Sequence, residues 1–186
     1  MSVICFTLAS NFVSYSQKQT IDTLNEDLIK SFKLSGQENV GKKIATFSAF
    51  DLQGKKFKTN DLKGKITFIN LWFEACSPCL AEFEALNNLY ETYKCKNRFQ
   101  FFSFTFESKE NAERVVRERN LKFPVLLISY DSSKIINFGQ GFPLNMIVNK
   151  KGEINLISPG GPTDPKMAKE KFNILFKPAL DLLLQN

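Results

Sequence analysis

Trp72-Phe73-Glu74-Ala75-Cys76-Ser77-Pro78-Cys79 is the stretch that decides how this chain is read. Before it, Ile66 to Phe73 is a nearly continuous apolar run rich in Ile and aromatic residues, the pattern of a strand buried on both faces. After it, Cys79, Phe83, Leu86, Tyr90 and Tyr93 recur at spacings of four and three, one face of a helix over Cys76 to Tyr93. Cys76 is therefore expected at a helix N-terminus, where unpaired backbone N–H groups and the positive dipole end favour a thiolate. Thiols so placed can have a pKa lowered from about 8.5 to about 3.5–7.5. Two intervening residues let the second sulfur reach the first within one helical turn. Cys76 is expected as the accessible nucleophile and Cys79, further inside, as the resolving thiol. A structural disulfide or two buried thiols would also fit a bare Cys-x-x-Cys; its place after a buried strand and at a helix start favours a redox pair.

Working outward, Thr46 to Leu52 is strand-like, Gln53-Gly54-Lys55 makes a turn, and Lys56 to Thr59 returns. Phe99 to Phe106 reads as the next buried strand, and Ser108 as the cap of a helix whose inner face is Ala112, Val115 and Val116. Phe123 to Ser129 is a strand, followed by a short helical stretch around Ser132 to Phe138. Asn145 to Asn149 and Glu153 to Ser158 are expected to pair as a hairpin across Lys150-Lys151-Gly152. Gly160-Gly161-Pro162 breaks the sheet, and a last helix starts near Asp164-Pro165 with Ala168, Phe172, Leu175, Ala179 and Leu182 inward. Pro178 predicts a kink in it. This alternation means α/β: a central mixed sheet flanked by helices, with an N-terminal β extension.

The 186 residues suit a single well-buried core, and apolar residues at 43%, with 19 Phe, offer the surface to fill it. The net charge of +6 comes from scattered basic residues mixed with acids, without the dense stripe of a nucleic-acid face, so no nucleic acid is expected as a partner. There is no His among the residues. That excludes Ser-His and Cys-His nucleophile pairs, His-ligated metals and covalent haem of the Cys-x-x-Cys-His type. A zinc site would need all four Cys, and Cys5 and Cys95 lie far from the central pair. No metal and no cofactor are expected.

The first sixteen residues carry no charged side chain, and Val3 to Val13 are largely apolar but too short to span a bilayer. With Ser14 and Ser16 before Gln17, residues 1–16 read as a signal peptide lacking its basic n-region. Residues 17–40 form an N-terminal segment in which Ile21, Leu24, Leu28 and Phe32 have amphipathic-helix spacing. The main domain covers 41–186, and the protein is expected outside the cytosol.

Several stretches together resemble the TlpA/ResA branch of thioredoxin-like proteins, within the AhpC/TSA–redoxin grouping. They are Gly41…Phe47…Asp51-Leu52…Gly54-Lys55, the lead-in Leu62-Lys63-Gly64-Lys65, Asn70-Leu71-Trp72 before Cys76-Ser77-Pro78-Cys79, and Gly141-Phe142-Pro143 followed by Met146-Ile147-Val148-Asn149…Gly152. The resemblance spans Gly41 to Leu184 and implies a thioredoxin-like fold and an extracytoplasmic thiol–disulfide oxidoreductase. Its partners would be disulfide-containing or dithiol proteins, with a membrane thiol–disulfide electron donor; a reductase of the cytochrome c maturation or disulfide-repair type is favoured. Pro143 matches the family's cis-proline, a geometry X-Pro bonds tolerate far better than others. Phe142 would face incoming substrate and Trp72 would shield the sulfurs. Glu82 matches the family's acidic residue three after the second Cys, on nearly the same helical face as Cys79, and is expected to shuttle that thiol's proton. Glu74 reads as a solvated charge and Cys95 as a free or semi-buried thiol.

Two departures stand out. Ala75 replaces the bulky residue common before the first Cys, which implies a more open rim, and Glu84 stands where the family commonly has Pro, which puts its helix kink in doubt. A peroxiredoxin-like peroxidase shares the fold, but the position of its usual Thr holds Phe73. A non-catalytic binding module is the remaining alternative, and would have a disulfide inert to dithiol reductants.

Overall fold

The computed structural model describes residues 35–185; the expected signal peptide, the amphipathic spacing of Ile21 to Phe32 and Cys5 lie outside them. Seven strands form one mixed sheet: β1 (Ser48–Asp51), β2 (Lys56–Lys58), β3 (Ile66–Trp72), β4 (Phe99–Thr105), β5 (Val125–Leu127), β6 (Leu144–Val148) and β7 (Ile154–Pro159). Their order is β2-β1-β5-β4-β3-β6-β7. β3, β4 and β5 run parallel, as crossover helices require. β6 pairs antiparallel with β3, β7 with β6, and the β1–β2 hairpin extends the other edge antiparallel to β5. The helices are α1 (Ser77–Tyr93), α2 (Lys109–Glu118), α3 (Tyr130–Ile136), α4 (Pro165–Lys171) and α5 (Lys177–Gln185). Among the described residues no helix is long and apolar enough to cross a membrane.

The central run behaves as its composition requires, since every residue of β3 is buried. Alternation then divides its side chains between two layers. Ile69 and Leu71 join Phe47, Phe102, Phe104, Leu126, Ile136 and Met146 in one cluster. Phe68, on the opposite face, packs against Phe101, Phe172 and Phe176. Trp72 on that same face meets Phe83 of α1 edge-on, with ring centroids 5.3 Å apart. α1 is continuous from Ser77 to Tyr93, running through Glu84.

The chain joins this body before Gly41, the expected start of the domain. Gln37 donates from Nε2 to the Ile157 carbonyl at 2.8 Å, and Gly41 N–H donates to the Ile154 carbonyl at 2.8 Å. Residues expected in the N-terminal segment thus dress the β7 side of the sheet.

The C-terminal helix departs from the regular pattern expected of it. α4 ends in a π-helical turn over Phe172–Phe176, where Lys177 N–H donates to the Phe172 carbonyl, and α5 follows. Pro178 lacks an N–H and crowds the carbonyl four residues back, and the wide turn falls directly before it. One inserted residue advances the inward face by one position. Phe176 and Leu180 are therefore buried, while Ala179 is half-buried and Leu182 is 64% exposed, against the inward places expected for them.

Candidate active site

β3 delivers the chain to the site and α1 leads it away. Cys76 is the N-cap of α1, with Cys79 N–H donating to its Sγ at 3.3 Å. Pro78 lies in the first turn, which tolerates its missing N–H. No acidic side chain occupies that turn to offset the positive dipole end. Cys76 and Cys79 are joined as a disulfide, with Cα atoms 5.2 Å apart. In this oxidised state Cys76 keeps 5% of its surface and Cys79 only 1%. Cys76 is thus the more open of the two, but far less open than the sequence implied. Cys95 is free and exposed.

The loop carrying the pair is anchored by contacts no motif announced. Glu74 N–H donates to Glu107 Oε1 at 2.8 Å, and the Glu74 carboxylate pairs with Arg114 Nη2 of α2 at 2.5 Å. The solvated charge expected at Glu74 is thus a half-exposed partner of Arg114, whose own pKa that carboxylate raises. Ala75 beside it is exposed.

The Phe142–Pro143 peptide bond is cis, as the resemblance implied. Phe142 is half-buried, edge-on to Phe73 and Phe106 at 5.4 and 5.6 Å. Phe106 also meets Tyr130 at 5.0 Å, which is 54% exposed. Phe142 is therefore one member of an aromatic cluster at the end of β3 and β4, not a lone substrate-facing ring. Trp72 has no exposed surface. It cannot touch a partner in this conformation.

Glu82 is fully buried. Its Oε2 accepts from Asn145 Nδ2 at 2.7 Å, and Asn145 Oδ1 accepts from Asn70 Nδ2 at 2.9 Å. Asn70 Oδ1 accepts from Ser103 Oγ at 3.0 Å. These three sheet residues stand in register on β4, β3 and β6, so one polar row crosses the sheet and ends on the carboxylate. Lys171 Nζ of α4 lies 3.5 Å from Glu82 Oε1, and both side chains are almost wholly buried. Burial pushes the Glu82 carboxyl above the usual carboxylate range, and Lys171 and Asn145 pull it back in part. Burial likewise draws the Lys171 ammonium down, opposed by Glu82. The ion pair and the row were not foreseen. Alternation alone would have put Asn70 on the same face as Phe68 and Trp72, an internal polar position that called for a partner.

Gly161 lies between Glu82 and the cis bond. A Cβ there would fall 2.4 Å from Glu82 Oε1 and 3.3 Å from Pro143 Cγ. Gly161→Ala is therefore expected to cost about 1–3 kcal/mol through overpacking, read as a lower denaturation midpoint. An unchanged midpoint would show that the loop yields freely and that the close approach has no consequence.

Residues 40–155 match the AhpC/TSA family. A thiol-disulfide oxidoreductase ResA of Bacillus thuringiensis (strain Al Hakam) is 35% identical over 117 residues, 62% of this chain and 66% of that relative. The ResA of Halalkalibacterium halodurans is 30% identical over 139 residues, 74% of this chain and 77% of that relative. The chain thus spans a little under two thirds of the first relative's length and about three quarters of the second's. In three dimensions the thioredoxin domain of a thiol-disulfide oxidoreductase from Bacteroides vulgatus superposes with a TM-score of 0.63 at 22% identity, covering 77% of this chain and 97% of that one. That likeness shows a thioredoxin fold.

Proposed function

Because the chain belongs to the AhpC/TSA family, on its TlpA/ResA-like thioredoxin-fold branch, we propose that it is a thiol–disulfide oxidoreductase working through Cys76 and Cys79. The observation that carries this reading is the Cys76–Cys79 disulfide at the N-terminus of α1. In the reducing direction the Cys76 thiolate attacks one sulfur of a partner disulfide. That bond breaks, a mixed disulfide forms, and one partner thiolate leaves and takes a proton from water. Cys79 then gives its proton to the Glu82 carboxylate, and its thiolate attacks Cys76 Sγ. The intermolecular bond breaks, the internal disulfide closes, and the second partner sulfur leaves as a thiolate that takes a proton from water. Two electrons have passed to the partner. When a donor dithiol reopens the pair, Glu82 returns the proton to Cys79.

Phe142 and Pro143 form the substrate side of the site in this reading, with Trp72 packed behind it. The substrates are disulfide-containing or dithiol proteins. The favoured direction is reduction, outside the cytosol, of the cytochrome c maturation or disulfide-repair type, with a membrane thiol–disulfide donor renewing the pair. Support comes from similarity to the ResA proteins and from the apolar, uncharged first sixteen residues. Reduction of insulin by dithiothreitol should be accelerated by the chain and fall to the uncatalysed background with Cys76→Ser. Equal activity in the variant would remove Cys76 as nucleophile.

A further inference from the structure

We propose that Lys171 is a positioning residue of this site, holding Glu82 as a proton-accepting carboxylate and tying it to the backbone beside Pro143. The inference rests on the exchange reading and deepens it. It starts from the placing of an ammonium where lysine is rarely found, since lysines are almost never fully buried unless paired. The Lys171 side chain is 4% exposed and its ion partner Glu82 is 0% exposed. Its Nζ donates to the Gly160 carbonyl at 2.5 Å, and Gly160 N–H donates to the Pro143 carbonyl at 2.7 Å. Carboxylate, cation and cis-proline are thus linked in one chain of contacts.

The two Glu82 oxygens are treated differently. Oε2 accepts from Asn145. Oε1 has no hydrogen-bond donor among the described residues and only the cation 3.5 Å away. Each donor in the row from Ser103 through Asn70 to Asn145 points toward Glu82. That sequence leaves Asn145 its N–H for Oε2, and Oε1 is the oxygen left to take a proton.

The charge arithmetic assigns the rest to Lys171. From α1 itself, the ionisable neighbour on the face of Glu82 is Cys79, three residues before it. β4, β3, β6 and β7 contribute the neutral Ser103, Asn70, Asn145 and Ser158, the last in register with Asn145. On α4, Lys166, Lys169 and Glu170 are exposed, as is Glu84 on α1. Lys171 is the one charged group facing Glu82 among the described residues. A carboxyl in such surroundings without a cation keeps its proton and accepts none. Lys171 supplies the opposing field.

The reduced protein carrying Cys5→Ser and Cys95→Ser, so that the active pair holds its only thiols, is mixed with dithiobis-nitrobenzoate to test this. The first thionitrobenzoate reports attack by Cys76; the second reports resolution by Cys79, which needs Glu82 unprotonated and so rises with pH. Lys171→Met is expected to displace that rise upward by about one pH unit or more, a tenfold change in proton affinity. Lys171→Arg should restore it toward the original position. In a Glu82→Gln background, Lys171→Met should displace nothing. Slowing of resolution equally at all pH values, with the rise unmoved, would overturn the proposal alone and show a merely structural lysine. No second release when Lys171 is intact in that two-thiol protein would overturn the exchange reading with it. Should Lys171→Met fail to fold, the unaltered protein decides: the Glu82 carboxyl carbon and Lys171 Nζ, followed by NMR, should share an inflection. Independent titrations would overturn the proposal.

Discussion

Cys79→Ser is expected to stall the protein as a covalent adduct with its partner, with turnover falling to background after a single attack. Cys76 retains its place as N-cap of α1, so the helix terminus still favours its thiolate and the first exchange proceeds. The second step has lost its nucleophile, because a hydroxyl cannot displace a thiolate from a disulfide under these conditions. The adduct should resist exchange with solvent thiols. Cys76 exposes only 5% of its surface even in the internal disulfide, and the half-buried ring of Phe142, held against Phe73 and Phe106, stands by the end of β3, from which the chain runs into the pair. Non-reducing electrophoresis after incubation with oxidised partner proteins is the measurement, and mass spectrometry of the adducts identifies them. Adducts carried by Cys76→Ser instead would reverse the assigned roles. Rapid turnover by Cys79→Ser would mean that the pair does not act as a pair.

Lys171→Met should carry the largest stability effect, about 3–5 kcal/mol at neutral pH, the usual result of removing one partner of a buried ion pair. Against a typical total stability of about 5–15 kcal/mol this is a large fraction. The cost has a definite pH dependence. The folded-state pKa of Glu82 is raised above its unfolded value of 4.5, and without Lys171 the desolvation that raises it goes unopposed. A raised carboxyl contributes its stability below the unfolded pKa, where it is protonated in both states, and loses it as pH rises through the folded pKa. The deficit of Lys171→Met should therefore be smallest below pH 4.5 and grow toward neutrality. Glu82→Leu combined with Lys171→Met should recover most of it, since exchanging a whole buried pair for apolar groups is often neutral or stabilising. Denaturant midpoints at several pH values measure this. A deficit independent of pH would show that lost packing, not an uncompensated carboxylate, is responsible.

Local signals were enough wherever one segment settles its own state. The run Ile66 to Phe73 read as a buried strand, the spacing from Cys79 to Tyr93 as a helix, and their junction placed Cys76 at a helix N-terminus, where the structure makes it the N-cap. Ser108 capping Asn111 N–H and the hairpin of β6 with β7 were legible for the same reason, because caps and turns are short-range chemistry. The end of the chain was less legible. Pro178 announced an irregularity, but a wide turn before it, shifting burial from Leu182 to Leu180, depends on how the helix must sit against Phe68.

By itself, then, the sequence determined the fold and the place of Cys76 and Cys79 at a helix start, and family resemblance singled out Glu82 and the cis bond before Pro143. Tertiary structure alone decided what surrounds them. Lys171 follows Glu82 by 89 positions in the chain, and Asn145 by 63. Neither carries a local signal, because a lysine in a charged helix and an asparagine in a strand are ordinary until the sheet register and the packing of α4 bring them to one carboxylate. The same packing closed Cys76 more tightly than its helix position implied, and turned the expected substrate-facing Phe142 into part of an aromatic cluster. Burial and pairing at long range are properties of the assembled layers, and no short stretch of chain contains them.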